Sequence, residues 1–233
     1  NSTVNTRLKL KQYGGTDIID IGEIKEGGRY RLEIEKDNVG ENEHKITLVN
    51  FSRGTVANFD GTNYITIPYS PQLNTPQFTV SVWAYPTGGS GGYRSIVTSR
   101  DSEPTASGYI IYINPDDYVH FWIGSEGTWK TCTSPNVITL NKWLHITIVY
   151  YDSTMILYEN GVEVKRATHT ITLNTNKSLR IGVGHTPPTQ NFYYQGSLYD
   201  FRYYDRALSR TEIGKIYTHS EMLGDETLHF PFS

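Results

Sequence analysis

The chain alternates. From Thr6 almost to the C-terminus, apolar and polar residues trade places with period two in short runs, and turn-forming residues separate the runs. Examples are "RYRLEIEKD", "YITIPY", "GYIIYINP", "YVHFWIG", "WLHITIVYY" and "SLRIGVG". A period of two places one set of side chains on each face of a pleated strand, so each run predicts a strand with one buried face. Within "MILYENGVEV" the pair Asn160-Gly161 lies between two such runs, and both residues tolerate the positive φ of a tight hairpin turn. One segment breaks the pattern: "LSRTEIGKIYTH" places Ile213, Ile216 and Tyr217 at helical spacing. Ser209 suits its N-cap, Glu212 three residues later completes a capping box, and Leu208 is placed to staple against Ile213.

About fourteen strands and one short helix predict an all-β fold, a two-sheet antiparallel β-sandwich or jelly roll with one short helix near the C-terminus. The formal charge of −3 is spread along the chain, whereas a nucleic-acid face calls for a basic stripe. No run approaches the roughly 20 apolar residues of a membrane-spanning helix. The sequence thus predicts neither nucleic-acid binding nor direct insertion into a membrane. The one cysteine, Cys132, permits no internal disulfide and no thiolate zinc cluster. Its surroundings, "TWKTCTS", supply no base, which predicts an inert, partly buried thiol.

Three longer segments fall in an order with a known counterpart. "VANFDGTNYITIPYSPQLNTPQFTVSVWAYP" combines a strand, an F-D-G turn, a Y-I-x-I strand and a strand carrying Trp83. In "NKWLHITIVYYDSTMILYENGVEVKR" a W-x-H-I start leads to the Asn-Gly hairpin. "YYQGSLYDFRYYDRALSRTEIGKIY" runs a strand into A-L-S and the short helix. Together they resemble the laminin-G-like jelly roll of the concanavalin A-like lectin/glucanase superfamily, over residues 52–217. Residues 1–51 lie outside the resemblance. They read as additional β-strands, either an edge extension of the sandwich or a small accessory β unit. Residues 218–233 hold a last strand, in "LHFPFS", which returns to the sandwich or to that unit.

The resemblance implies a non-catalytic module for recognition or adhesion that binds glycan or another surface polymer through loops at the sandwich end. It also implies display outside the cell, on a cell surface or on a virion. A structural subunit of a surface layer, filament or capsid is the alternative, with partners that include other copies of itself or other surface proteins. A polysaccharide hydrolase or lyase is a third reading. The superfamily's glucanases resemble one another in an E-x-D-x-x-E strand. The nearest match here, "IIDIGE", keeps Asp20 and Glu23 but has Ile18 where the nucleophile belongs.

Calcium is implied by the same resemblance. A hard cation takes 6 to 8 oxygens from carboxylates and turn carbonyls. Asp60, Gly61 and Asn63 in the F-D-G turn and Asp200 in the closing strand are the candidate ligands, with Asp116 and Asp117 a weaker second group. For glycan, a partly exposed aromatic ring stacks on the apolar face of a sugar while planar polar groups take its hydroxyls. That chemistry selects Tyr93 and Arg94 by the Gly-rich loop, Trp129 beyond "GSEG", and Gln190, Asn191, Tyr193 and Tyr194 in "HTPPTQNFYY". Trp83 and Trp143 are expected to be buried.

Overall fold

The computed structural model describes residues 6–11, 18–24, 29–36, 44–51, 56–89, 91–101, 106–184, 192–219 and 222–230. The chain divides into two compact units, Asn1–Arg53 and Gly54–Ser233.

The described residues of the first unit form β1 (Thr6–Lys11), β2 (Ile18–Ile24), β3 (Arg29–Lys36) and β4 (His44–Phe51). β1 pairs antiparallel with β2, and β3 with β4, each as its own two-stranded sheet. Asp20 and Glu23 of the "IIDIGE" segment lie in β2.

The second unit continues with β5 (Ala57–Asp60), β6 (Ile65–Ile67), β7 (Phe78–Pro86), β8 (Arg94–Asp101), β9 (Ser107–Ile113) and β10 (Tyr118–Ser125). Then follow β11 (Thr128–Val137), β12 (Leu144–Tyr151), β13 (Thr154–Glu159), β14 (Val162–Thr168), β15 (Leu179–Ile181), β16 (Gln195–Tyr204), helix α1 (Arg210–His219) and β17 (Leu228–Phe230). They form a six-stranded sheet in the order β11-β10-β9-β8-β15-β6, and a seven-stranded sheet in the order β14-β13-β12-β7-β16-β17 with β5 also on β16. The strand pairings are antiparallel.

The alternation sets which side chains meet between the sheets. Val119, Phe121 and Ile123 of β10 point inward, as do Tyr109, Ile111 and Ile113 of β9, and all six are buried. Phe78 of β7, fully buried, lies at the centre of an aromatic stack with Tyr109 (4.6 Å), Tyr150 (5.6 Å) and Tyr203 (6.0 Å). Such ring pairs contribute roughly 0.5–1.5 kcal/mol each beyond the apolar area they bury. β13 and β14 meet at the expected hairpin: Asn160 and Gly161 have φ of 50° and 78°, between the paired Glu159 and Val162.

The closing helix begins as its sequence dictates. Ser209 Oγ accepts the Glu212 N–H (3.3 Å), Glu212 Oε2 accepts the Ser209 N–H (2.7 Å), and Leu208 and Ile213 share one buried cluster. That cluster, with Val149, Ile156, Tyr158, Tyr204 and Ile216, lies on the outer face of the seven-stranded sheet. On that same face Trp83, 4% exposed, stacks on Tyr217 at 5.5 Å. The helix therefore roofs a sheet face; it does not plug an open end. His145, also buried there, meets Ser81 Oγ through Nε2 at 2.8 Å. β17 extends the sheet through Phe201↔Phe230. No helix among the described residues is long and apolar enough to cross a membrane.

Candidate functional site

Because Val119, Phe121 and Ile123 point inward, the intervening His120 and Trp122 must stand on the outer face of the six-stranded sheet. Register extends this face sideways: His120 lies between Tyr112 and Thr133, and Trp122 between Ile110 and Thr131. Trp129, opposite Gly124, and Arg180, opposite Thr98, belong to it as well.

Half-buried rings collect here. Trp122 sits between Tyr93 (6.2 Å) and Trp129 (6.3 Å). Phe192 packs edge-on against Tyr93 at 5.4 Å and Tyr112 at 5.7 Å. Polar groups are set among them. The Arg100 guanidinium lies 5.5 Å over the Trp129 ring, and its Nη1 donates to the Tyr112 hydroxyl at 3.3 Å. Burial pushes the Tyr112 phenol up to about 12 against the pull of Arg100 and Arg180, so it is a neutral hydroxyl at physiological pH.

His120 is fixed by its neighbours. The Trp122 indole N–H, which can only donate, points at His120 Nδ1 at 2.9 Å. The neutral ring therefore carries its proton on Nε2, a buried donor with no acceptor among the described residues. Desolvation holds the imidazole below its usual pKa, with Asp116 opposing, so the neutral form persists. Stacking rings with interspersed donors and hydroxyls can hold a polyhydroxylated ring by its apolar face and its hydroxyls.

Of the predicted ligand-binding residues, Tyr93 and Trp129 come together on this face, joined through Trp122. Arg94 does not: it is 1% exposed, donates from Nη1 to the Gly88 carbonyl (3.0 Å) and from Nη2 to the Asn114 carbonyl (3.2 Å), and pairs with Asp117. It fastens the turn where a ligand contact was expected. Tyr194 is fully buried, edge-on to Phe59 at 5.9 Å, because it precedes β16 and turns into the core. Tyr193 lies beside the exposed Tyr64 at 6.3 Å. Gln190 and Asn191 fall outside the described residues. Trp143, expected to be buried, is only partly so and packs on Tyr85 at 5.3 Å. Trp122 and His120 escaped sequence reasoning, although the parity of "YVHFWIG" was a usable signal.

The proposed calcium ligands are not assembled. Asp60 Oδ1 accepts the Thr62 N–H (2.8 Å), the Thr62 hydroxyl (2.7 Å) and the Asn63 N–H (3.2 Å). Asn63 Oδ1 returns a bond to the Asp60 N–H at 2.9 Å, and Gly61 takes φ of 87° between them. Asp60, Gly61 and Asn63 thus close their own turn. Gln195 stands opposite Asp60, so Asp200 lies roughly 16 Å further along β16. Asp200 is engaged already, by Arg202 and by His229 Nε2, each at 2.8 Å from Oδ1. The guanidinium supplies the positive charge a cation would bring, so the residues do not fit a shared calcium site. Asp117 is spent on Arg94, and among the described residues no three or more His, Cys, Asp or Glu side chains are grouped so that they could hold a metal ion.

Residues 59–214 match the laminin-G family described as the concanavalin A-like lectin/glucanases superfamily. The chain belongs to that superfamily. Solved structures place the same fold beside it. A heptameric SAP-like pentraxin from Limulus polyphemus is 19% identical over 71% of this chain and 82% of that one, with a TM-score of 0.54. Domain 4 of a GH43 extracellular arabinanase from Geobacillus stearothermophilus, in complex with arabinotriose, is 18% identical over 81% and 82%, with a TM-score of 0.53. The CBM40 of a Ruminococcus gnavus IT-sialidase, bound to α2,3-sialyllactose, is 12% identical over 71% and 97%, with a TM-score of 0.56. No curated protein matches the chain. Within the superfamily fold, the aromatic face occupies the sheet opposite the one roofed by α1.

Proposed function

We propose that this chain is a non-catalytic recognition module that binds glycan on the outer face of its six-stranded sheet. The observation that carries the reading is the row Tyr93–Trp122–Trp129, partly exposed rings flanked by Arg100, the Tyr112 hydroxyl and the His120 Nε2–H. A sugar stacks on the rings, and its hydroxyls meet these donors and acceptors. Domains of the same fold, one in complex with arabinotriose and one bound to α2,3-sialyllactose, support a carbohydrate partner. A non-catalytic role is supported by Asp200 and Glu226, buried carboxylates both held by Arg202, with Asp200 bound to His229 as well, so neither is left to act as acid or nucleophile. In this reading the module works outside the cell, at a cell or virion surface.

An array of plant, animal and bacterial glycans tests it, backed by affinity electrophoresis through polysaccharide gels. Retention by a subset of glycans, weakened in Trp122→Ala, is expected. Silence across the array and the gels would overturn the reading.

A further inference from the structure

A second recess lies elsewhere on the sandwich. The connection from β11 to β12, residues 138–143, and the start of the Asn160-Gly161 turn enclose a cavity of about 300 Å³. That is the lower end of the range that holds small ligands. It is separate from the Tyr93–Trp122–Trp129 row: Trp129 stands near the start of β11, and Asn136 near the end of the same strand lines the cavity, roughly 23 Å away at strand rise.

Glu159 is the unusual member of its wall. The residue is 7% exposed, its Oε2 accepts the Asn136 side-chain N–H at 2.8 Å, and its buried Oε1 has no hydrogen-bond partner. A buried carboxylate oxygen without a donor is costly, and native proteins rarely leave one so. Tertiary structure holds it there. Asn160 beside it accepts the His145 N–H through Oδ1 at 3.0 Å, and the Asn160 N–H donates to the His145 carbonyl at 2.8 Å. These bonds anchor the turn to β12 and leave the Asn160 amide nitrogen for a ligand.

The wall's chemistry selects the ligand class. Glu159 and Lys142 cancel in charge, so neither an anion nor a cation is favoured. Acceptors (Glu159 Oε1 and Asn136 Oδ1) alternate with donors (Asn160 Nδ2 and Lys142 Nζ), and a hydroxyl satisfies both kinds. The partly exposed Trp143 supplies an aromatic wall. From this geometry we infer that the cleft is a second sugar site, one that takes a single neutral hexose unit with a hydroxyl donating to Glu159 Oε1.

The test is a ¹H–¹⁵N NMR titration of the full chain with glucose, galactose, mannose and N-acetylglucosamine. With at least one of them, shifts are expected at residues 136–144 and 159–160, independent of those near Tyr93, Trp122 and Trp129. Glu159→Gln should weaken that binding about tenfold or more. Lys142→Ala, an exposed substitution that keeps the fold, should weaken it several-fold while Trp122→Ala leaves it unchanged. If the aromatic face shifts and the cleft stays silent, the cleft assignment fails while the proposed function stands. If the cleft alone responds, the proposed face fails instead. Cleft shifts that survive both Glu159→Gln and Lys142→Ala would also overturn the assignment.

Discussion

Asp200 and Arg202 stand two residues apart on β16, yet they meet as a bidentate pair, Nε to Oδ1 and Nη2 to Oδ2, both at 2.8 Å. In a regular strand such side chains would run parallel on one face. Here the register against β7 slips between Tyr199 and Arg202, and Asp200 takes φ of 53°, so the bulge turns the carboxylate onto the guanidinium. Both residues are almost fully buried, with His229 and Glu226 beside them. Removing one partner of such a pair leaves an uncompensated charge, so Asp200→Asn should cost about 3 kcal/mol or more in urea unfolding. Burial raises the Asp200 pKa, but the bonds from His229 and Arg202 outweigh it, leaving the carboxyl below its usual range. Its contribution is therefore present above about pH 4 and lost as pH falls through the lowered value, so the variant should show a shallower acid limb.

The aromatic face yields a prediction about which ring matters most. Trp122 touches Tyr93, Tyr112, Trp129 and, through its N–H, His120. Trp122→Ala should reduce glycan affinity about tenfold or more, Trp129→Ala less, and Tyr193→Ala hardly at all. Isothermal titration measures the order, with far-UV circular dichroism confirming that the sheets persist. Equal losses in all three would mean that the face does not act as a platform.

How much of this was legible beforehand depends on what alternation can carry. Period two assigns residues to faces, so the two-sheet fold and the hairpin at Asn160-Gly161 could be read directly. The capping box did the same for α1. What it cannot carry is register between distant strands. Trp122 and Tyr93 are neighbours only because β9 lies between β8 and β10, and nothing local to either announces it. Arg94 was misread for a similar reason: a Gly-rich stretch resembles a loop tip, but Arg94 opens β8 and its partner Asp117 comes from another turn. Asp60 and Asp200 carry the oxygens a cation wants, yet pairing along β16 holds them apart.

Cys132 should be silent in the native state. It is 1% exposed, and burial pushes its thiol up to about 11, with Lys165 pulling weakly the other way. At pH 8 the folded chain should not react with a disulfide reagent, whereas the urea-unfolded chain should release one equivalent. Rapid labelling without denaturant would contradict this burial.

The helix cap is separable from the site. Ser209→Ala removes the acceptor for the Glu212 N–H and should cost about 1 kcal/mol, a fall of roughly 2–4 °C in Tm for a domain of this size. Glycan affinity should not change, because α1 roofs the other sheet. The bond from Arg206, ahead of burial and of the Ser209 bonds, brings the Glu212 carboxyl down to about 2. The cap therefore holds above the ordinary carboxylate range and is lost only as pH falls toward that value. A thermal scan against pH checks both statements.

His120 provides the last prediction, because its tautomer is fixed by a group that cannot accept. Protonation would place a hydrogen on Nδ1, where the Trp122 N–H already points, and would break that bond. Desolvation lowers the imidazole pKa from 6.5. A group with a depressed folded pKa favours the folded state above its unfolded value and ceases to do so as pH falls through the lower one. Glycan affinity should therefore be flat above pH 6.5 and fall only below it, in step with the His120 ring signals in an NMR titration. His120→Gln, which cannot be protonated, should flatten that decline. If affinity already falls between pH 8 and 7, a group other than His120 controls the face.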